Sequence, residues 1–125
     1  MNALSELRRL TYEEFAGDHV LVAAAERDFQ VAIQAALDIG SSILADQQAG
    51  LPQRYSDIFP ALAEIGVLPL DFAARLVNMA RFRNVLVHLY VEVDTGLVYR
   101  YLRENLDDFV SFGRFVSSWM SASEG

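Results

Sequence analysis

The sequence predicts a single all-α domain over residues 1–125, folded as an up-and-down bundle of about five helices. Apolar residues recur at three- and four-residue spacing along several segments, as on one face of an amphipathic helix. The chain has no alternating strand pattern, no Asn-Gly turn and no Gly-rich phosphate loop. A length of 125 residues allows one core and is too short for two.

The first half of the chain predicts three helices. A short helix is expected over residues 3–10, and the Thr11-Tyr12-Glu13-Glu14 stretch then has the pattern of a capping box. Asp18 can cap a long second helix that runs to about residue 48, with its buried face formed by Phe29, Ile33, Leu37, Gly40 and Leu44. A third helix, capped by Ser56-Asp57, is expected to end near residue 65.

Two longer helices are predicted for the second half. Pro69 suits the first turn of a fourth helix over residues 70–91, and Asp94-Thr95-Gly96 predicts a turn. A fifth helix is expected over residues 97–120, with one apolar stripe formed by Val98, Leu102, Leu106, Phe109, Gly113 and Val116.

The composition limits the compartment and the chemistry. The chain has 53% hydrophobic residues and no cysteine, which excludes disulfides and thiolate metal sites and suits a reducing compartment. We see neither a signal peptide nor a membrane-length apolar run, so we expect a cytoplasmic protein without a membrane partner. Glu26, Asp38 and Glu64 have no histidine partner at metal-ligand spacing, and no metal or cofactor is predicted.

The net charge of -7 argues against a simple basic surface for nucleic acid. The acidic residues are unevenly spread, however, because none occurs between Asp71 and Glu92. Arg75, Arg81 and Arg83 all lie in that segment with His88, which makes it locally cationic. Chance and a mostly buried helix explain this pattern as well as a phosphate-binding site does.

The chain is rich in large apolar side chains for so small a bundle. We expect that one core cannot hide all of them and that a second subunit covers some, so the sequence predicts a homodimer. The residues that motivate this expectation are Phe72, Phe82, Leu86, Tyr90, Tyr99, Tyr101, Phe109, Phe112, Phe115 and Trp119.

The fourth helix carries the candidate chemistry. With about 100° per residue, Asn84, His88 and Arg81 fall roughly 100°, 140° and 160° from Arg83, whereas the apolar residues fall on the opposite side. Arginine binds a phosphate through a planar fork and histidine moves protons near neutral pH, which is enough to cleave RNA through its own 2′-hydroxyl. The other interpretation is a structural histidine beside solvated arginines.

The segment Arg83-Asn84-Val85-Leu86-Val87-His88-Leu89-Tyr90 resembles the Arg-x4-His-x-Tyr signature of HepT-like toxins of the HEPN superfamily. The Met79-Ala80-Arg81-Phe82 lead-in, the stretch from Glu26 to Ile39 and the stretch from Tyr55 to Leu68 are also similar to that family. The resemblance covers nearly the whole chain.

The resemblance implies a helical homodimer with a metal-independent endoribonuclease site, the toxin of a type VII-like toxin–antitoxin system. It implies that Arg83 and His88 are the catalytic pair, that Asn84 and Arg81 support substrate binding, and that the substrate is RNA, such as tRNA or mRNA. It also implies an MntA-like nucleotidyltransferase antitoxin that adds AMP to Tyr90. The alternative is a non-catalytic helical module that presents nucleotide or RNA to that partner.

Overall fold

The computed structural model describes residues 2–87 and 95–124, and their regular elements are helices without a strand, which confirms the all-α prediction. Its elements are α1 (Asn2–Leu7), α2 (Tyr12–Ala16), α3 (His19–Asp46), a 3₁₀ turn (Tyr55–Asp57), α4 (Ile58–Glu64), α5 (Leu70–Val87), α6 (Thr95–Glu104) and α7 (Asp107–Glu124). Within these residues, no helix is long and apolar enough to cross a membrane.

Two of the predicted helix caps are confirmed. The Thr11 hydroxyl accepts the Glu14 amide at 3.2 Å, and the Glu14 carboxylate accepts the Thr11 amide at 3.0 Å, which completes the capping box before α2. The Asp18 carboxylate accepts the Val20 amide at 2.9 Å and so begins α3. Asp57 starts α4 without a side-chain cap, because the 3₁₀ turn leads directly into that helix.

The long helix α3 forms the centre of the core, as its apolar stripe predicted. Phe29, Ile33, Leu37 and Leu44 are each at most 1% exposed. At Gly40, an added Cβ would lie only 2.7 Å from Ile58 Cγ2. The glycine therefore lets α4 approach α3 closely.

The prediction of one fifth helix is wrong, because α6 ends at Glu104 and α7 begins at Asp107. The Arg75 guanidinium, on α5, reaches this break and donates to the Asp108 carboxylate at 3.1 Å and to the Glu104 carbonyl at 3.3 Å. Asn105 Nδ2 also donates to Asp108. One long-range and one local side-chain contact thus stabilise the break between α6 and α7.

The large aromatic residues that the structure describes pack into one core, although several of them remain partly exposed, and the homodimer stays a prediction. Phe82 stacks on Tyr101 with ring centroids 4.0 Å apart, and Phe29 packs against both rings. Burial of the Tyr101 ring, reinforced by the Asp108 carboxylate and partly offset by Arg100, raises the pKa of its hydroxyl. The rest of that set is buried or partly buried in the same core: Phe72, Leu86, Tyr99, Phe109, Phe112, Phe115 and Trp119.

Candidate functional site

Helix α5 positions the predicted site residues by burying the opposite face. Met79 and Phe82 are 1% and 3% exposed and anchor the helix against the core. Arg83 is consequently partly buried at the rim of that face, and Asn84 is exposed beside it.

The Arg83 guanidinium rests on an aromatic ring rather than on a carboxylate. Its Cζ lies 5.3 Å from the ring centroid of Tyr55, which is in the 3₁₀ turn before α4. Its Nη1 donates to Asn84 Oδ1 over a long 3.4 Å. Its Nε is buried and has no hydrogen-bond partner. Most of the hydrogen-bonding capacity of this cation is therefore available to an anion.

Helix α3 forms the opposite wall of the Arg83 site. Arg83 lines a groove of about 370 Å³ whose other lining residues all belong to α3: Arg27, Gln30, Val31, Gln34, Ala35 and Asp38. The polar members of this set lie beside the buried face of α3. Their recurrence near every third or fourth position was the available signal, but it does not show which helix faces them.

The carboxylate in this wall is already engaged. Gln34 Nε2 donates to Asp38 Oδ1 at 2.9 Å, which fixes the amide and leaves Gln34 Oε1 buried without a partner. The Arg27 side chain is exposed and forms no hydrogen bond or ion pair with any described residue. The groove thus presents two guanidinium groups and one amide-bound carboxylate.

The other residues of the cationic segment are placed differently. Arg81 lines a separate groove between α5 and α6, with Asn78, Val85 and Arg100 among its neighbours, so the structure does not bring it to Arg83. Arg75 is paired with Asp108. His88, Tyr90 and the last predicted turn of the fourth helix lie outside the described residues.

The described residues contain no cluster of three His, Cys, Asp or Glu side chains that could hold a metal ion. The chemistry visible here is that of a cationic, hydrogen-bonding groove. It suits a phosphate ester, for which arginine offers bidentate binding.

Residues 1–115 match the family model described as "Ribonuclease HepT-like". The mRNA nuclease HepT of Shewanella oneidensis is 30% identical over 99 residues, which cover 79% of this chain and 74% of that protein. The tRNA nuclease HepT of Aphanizomenon flos-aquae is 23% identical over 124 residues, covering 99% of this chain and 84% of that protein.

The fold is also similar to solved structures. One is the tri-AMPylated Shewanella oneidensis HEPN toxin in complex with the MNT antitoxin, with a TM-score of 0.76 and 24% identity. The match covers 94% of this chain and 92% of that one. The two chains therefore share the same fold.

Proposed function

Because this chain belongs to the HepT-like ribonuclease family, we propose that it is the RNA-cleaving toxin of a toxin–antitoxin pair, with its site at Arg83 and His88. The observation that carries the proposal is the state of Arg83. Its guanidinium lines an open groove, rests on Tyr55 and has no carboxylate partner among the described residues. An arginine held in this way is ready to bind a phosphodiester.

In the proposed reaction, the 2′-oxygen of a ribose attacks the adjacent phosphorus while the bond from phosphorus to the 5′-oxygen breaks. The products are a 2′,3′-cyclic phosphate and a free 5′-hydroxyl. Arg83 neutralises the charge that develops on the phosphoryl oxygens, and His88 takes the 2′-hydroxyl proton. These side chains supply an acid–base group and a cation, so the proposed cleavage needs no metal ion.

The leaving 5′-oxygen needs a proton, which a second copy of the chain can supply from its own imidazole. We therefore include a homodimer in the proposal. Exposed apolar residues support it: Val31 and Ile39 on α3 and Val110 and Met120 on α7 are each 45–52% exposed. The apolar face that contains Ile39 shares Ala35 and Asp38 with the Arg83 groove, so a copy seated there would approach the site.

The proposed regulator is an MntA-like nucleotidyltransferase that adds AMP to Tyr90. The related Shewanella toxin, named as tri-AMPylated and in complex with MNT antitoxin, supports this part of the proposal. Tyr90 is seven positions after Arg83 in the sequence and belongs to the same motif. A phosphate ester there would bring negative charge towards the site and compete with the substrate phosphate.

The test is RNA cleavage by the purified chain in the presence of EDTA. We expect wild type to cut, and Arg83→Ala and His88→Ala each to lower the rate by about 10²-fold or more. Arg114→Ala is the matched control, since it removes an exposed arginine of α7 far along the chain from the motif. Full cleavage by His88→Ala, or loss of cleavage with EDTA alone, would overturn the proposed chemistry.

A further inference from the structure

The wall of α3 that faces Arg83 has the chemistry of a ligand site in its own right. Its polar residues Arg27, Gln30 and Gln34 follow each other at three- and four-residue spacing, so they form one stripe beside the buried face of the helix. Val31 and Ala35 supply an apolar strip next to it. The groove volume of about 370 Å³ is within the range of roughly 300–1,000 Å³ that small-molecule sites occupy.

Two buried polar atoms in this groove lack the partners that folded proteins normally provide. Among the described residues, Gln34 Oε1 and Arg83 Nε are the buried side-chain atoms without a hydrogen bond, and both residues line the same groove. Such groups are rare in native structures, because leaving one unpaired destabilises the fold. One is an acceptor and the other is a donor, and both side chains line the groove, so a small shift of each would let one ligand bind both.

The charge pattern selects an anionic ligand. Arg27 and Arg83 both line this groove, and neither forms an ion pair with a carboxylate among the described residues. Asp38 is the single acidic residue of the lining, and its Oδ1 accepts the Gln34 amide. Two free guanidinium groups on one groove are notable in a chain of net charge -7.

From these observations we infer that the α3 groove is a nucleotide subsite, which holds the RNA unit next to the phosphodiester that is cut. Arg27 binds the phosphate of that unit, and Arg83 Nε donates to the phosphodiester. Gln34 Oε1 accepts from a ribose hydroxyl or a base amine, while Val31 and Ala35 contact the sugar or base. This inference rests on the proposed ribonuclease function and extends it to residues outside the motif.

Binding measurements test the subsite separately from cleavage. The probe is a short fluorescein-labelled single-stranded RNA of mixed sequence, titrated with the His88→Ala chain to prevent cutting, with DNA of the same sequence in parallel. In this background, Arg27→Ala should weaken RNA binding about tenfold, since a charge-assisted hydrogen bond contributes about 1.5–3 kcal/mol. It should also reduce the slope of the logarithm of the binding constant against the logarithm of the salt concentration by about one, as expected for the loss of one phosphate contact. Arg114→Ala, the matched control for charge, should change neither quantity by as much.

Gln34→Met keeps the length of the side chain and removes the amide. It should weaken binding roughly threefold or more, for RNA alone if the donor is a ribose hydroxyl, and for RNA and DNA alike if the donor is a base amine. Gln53→Met, at an exposed loop position, is its control. Circular dichroism of each variant reports whether the helices are intact.

Unchanged RNA binding by folded Arg27→Ala and Gln34→Met would overturn the subsite, even if wild type cuts RNA and Arg83→Ala does not. Conversely, a wild-type chain that cuts no RNA would overturn the proposed function. A tenfold loss of binding in Arg27→Ala would still support the groove as the RNA site in that case. The two failures are therefore distinguishable.

Discussion

The guanidinium of Arg83 lies over the ring of Tyr55, with 5.3 Å between Cζ and the ring centroid. Tyr55 is 50% exposed and belongs to the 3₁₀ turn, 28 positions before Arg83. The aromatic face holds the cation without neutralising it, as a carboxylate would. Arg83 is thereby placed at the groove with its charge available to a substrate.

Substitution of Tyr55 should lower activity through Arg83. We expect Tyr55→Leu to lower kcat/KM for RNA cleavage about two- to fivefold, because an exposed cation–π contact contributes about 0.5–1 kcal/mol. Tyr55→Phe keeps the ring face and should retain nearly full activity. Equal losses in both variants would show that the hydroxyl, rather than the ring, is what matters.

The Arg75–Asp108 pair should stabilise the break between α6 and α7. The Asp108 carboxylate is 9% exposed and accepts from Arg75 and Asn105, so Asp108→Ala leaves those donors unpaired. We expect a loss of about 1–3 kcal/mol in the free energy of unfolding by urea. Its neighbour Asp107 is the control, since its carboxylate is 79% exposed and its ion pair with Arg8 should contribute about 0–1 kcal/mol. Similar losses for Asp107→Ala and Asp108→Ala would contradict this assignment.

Gly40 should resist substitution by alanine. The new Cβ would lie 2.7 Å from Ile58 Cγ2 and 3.1 Å from Leu62 Cδ1, so α4 would have to move. Overpacking costs about 1–3 kcal/mol, which offsets or exceeds the roughly 1 kcal/mol gain in helix propensity. Gly113→Ala meets nothing within 4 Å in this chain and should keep that gain. Thermal unfolding should therefore give a lower Tm for Gly40→Ala than for Gly113→Ala, and the reverse order would be inconsistent with close packing at Gly40.

The capping box before α2 should make stability depend on pH in the acid range. The hydrogen bond from the Thr11 backbone, together with that from its hydroxyl, lowers the pKa of Glu14 below its ordinary value. A carboxyl with a depressed folded-state pKa stabilises the fold above its unfolded pKa, and this contribution disappears as the pH falls through the folded value. Glu14→Gln should remove that part of the dependence, so the difference in Tm from wild type should shrink on acidification. A Tm difference between Glu14→Gln and wild type that stays constant from neutral to acid pH would rule out the Glu14 carboxylate as the source of the pH dependence.

Tyr90→Phe should abolish regulation by the nucleotidyltransferase without abolishing toxicity. The variant lacks the hydroxyl that would accept AMP, so we expect it to remain toxic when the nucleotidyltransferase is co-expressed. Mass spectrometry with ATP and that partner should find AMP on wild type and none on Tyr90→Phe. If Tyr90→Phe carries as much AMP as wild type, another residue must be the acceptor.

The local sequence predicted the helices wherever local interactions control them. The capping box at Thr11 and the Asp18 cap depend on groups within three positions, and both are formed. The prediction of a single fifth helix was wrong because the break between α6 and α7 involves a hydrogen bond from Arg75, which is 33 positions from Asp108 in the sequence. No local pattern contains that hydrogen bond.

The sequence by itself determined an all-helical chain and most of its buried faces, because periodicity and short-range capping depend on neighbouring positions. Only the tertiary structure decided what surrounds Arg83. It brought the α3 stripe of Arg27, Gln30 and Gln34 to one side and Tyr55 to another, and it placed Arg81 in a different groove. The physical reason is that helix packing fixes which faces meet, and this depends on how distant side chains fill the common core.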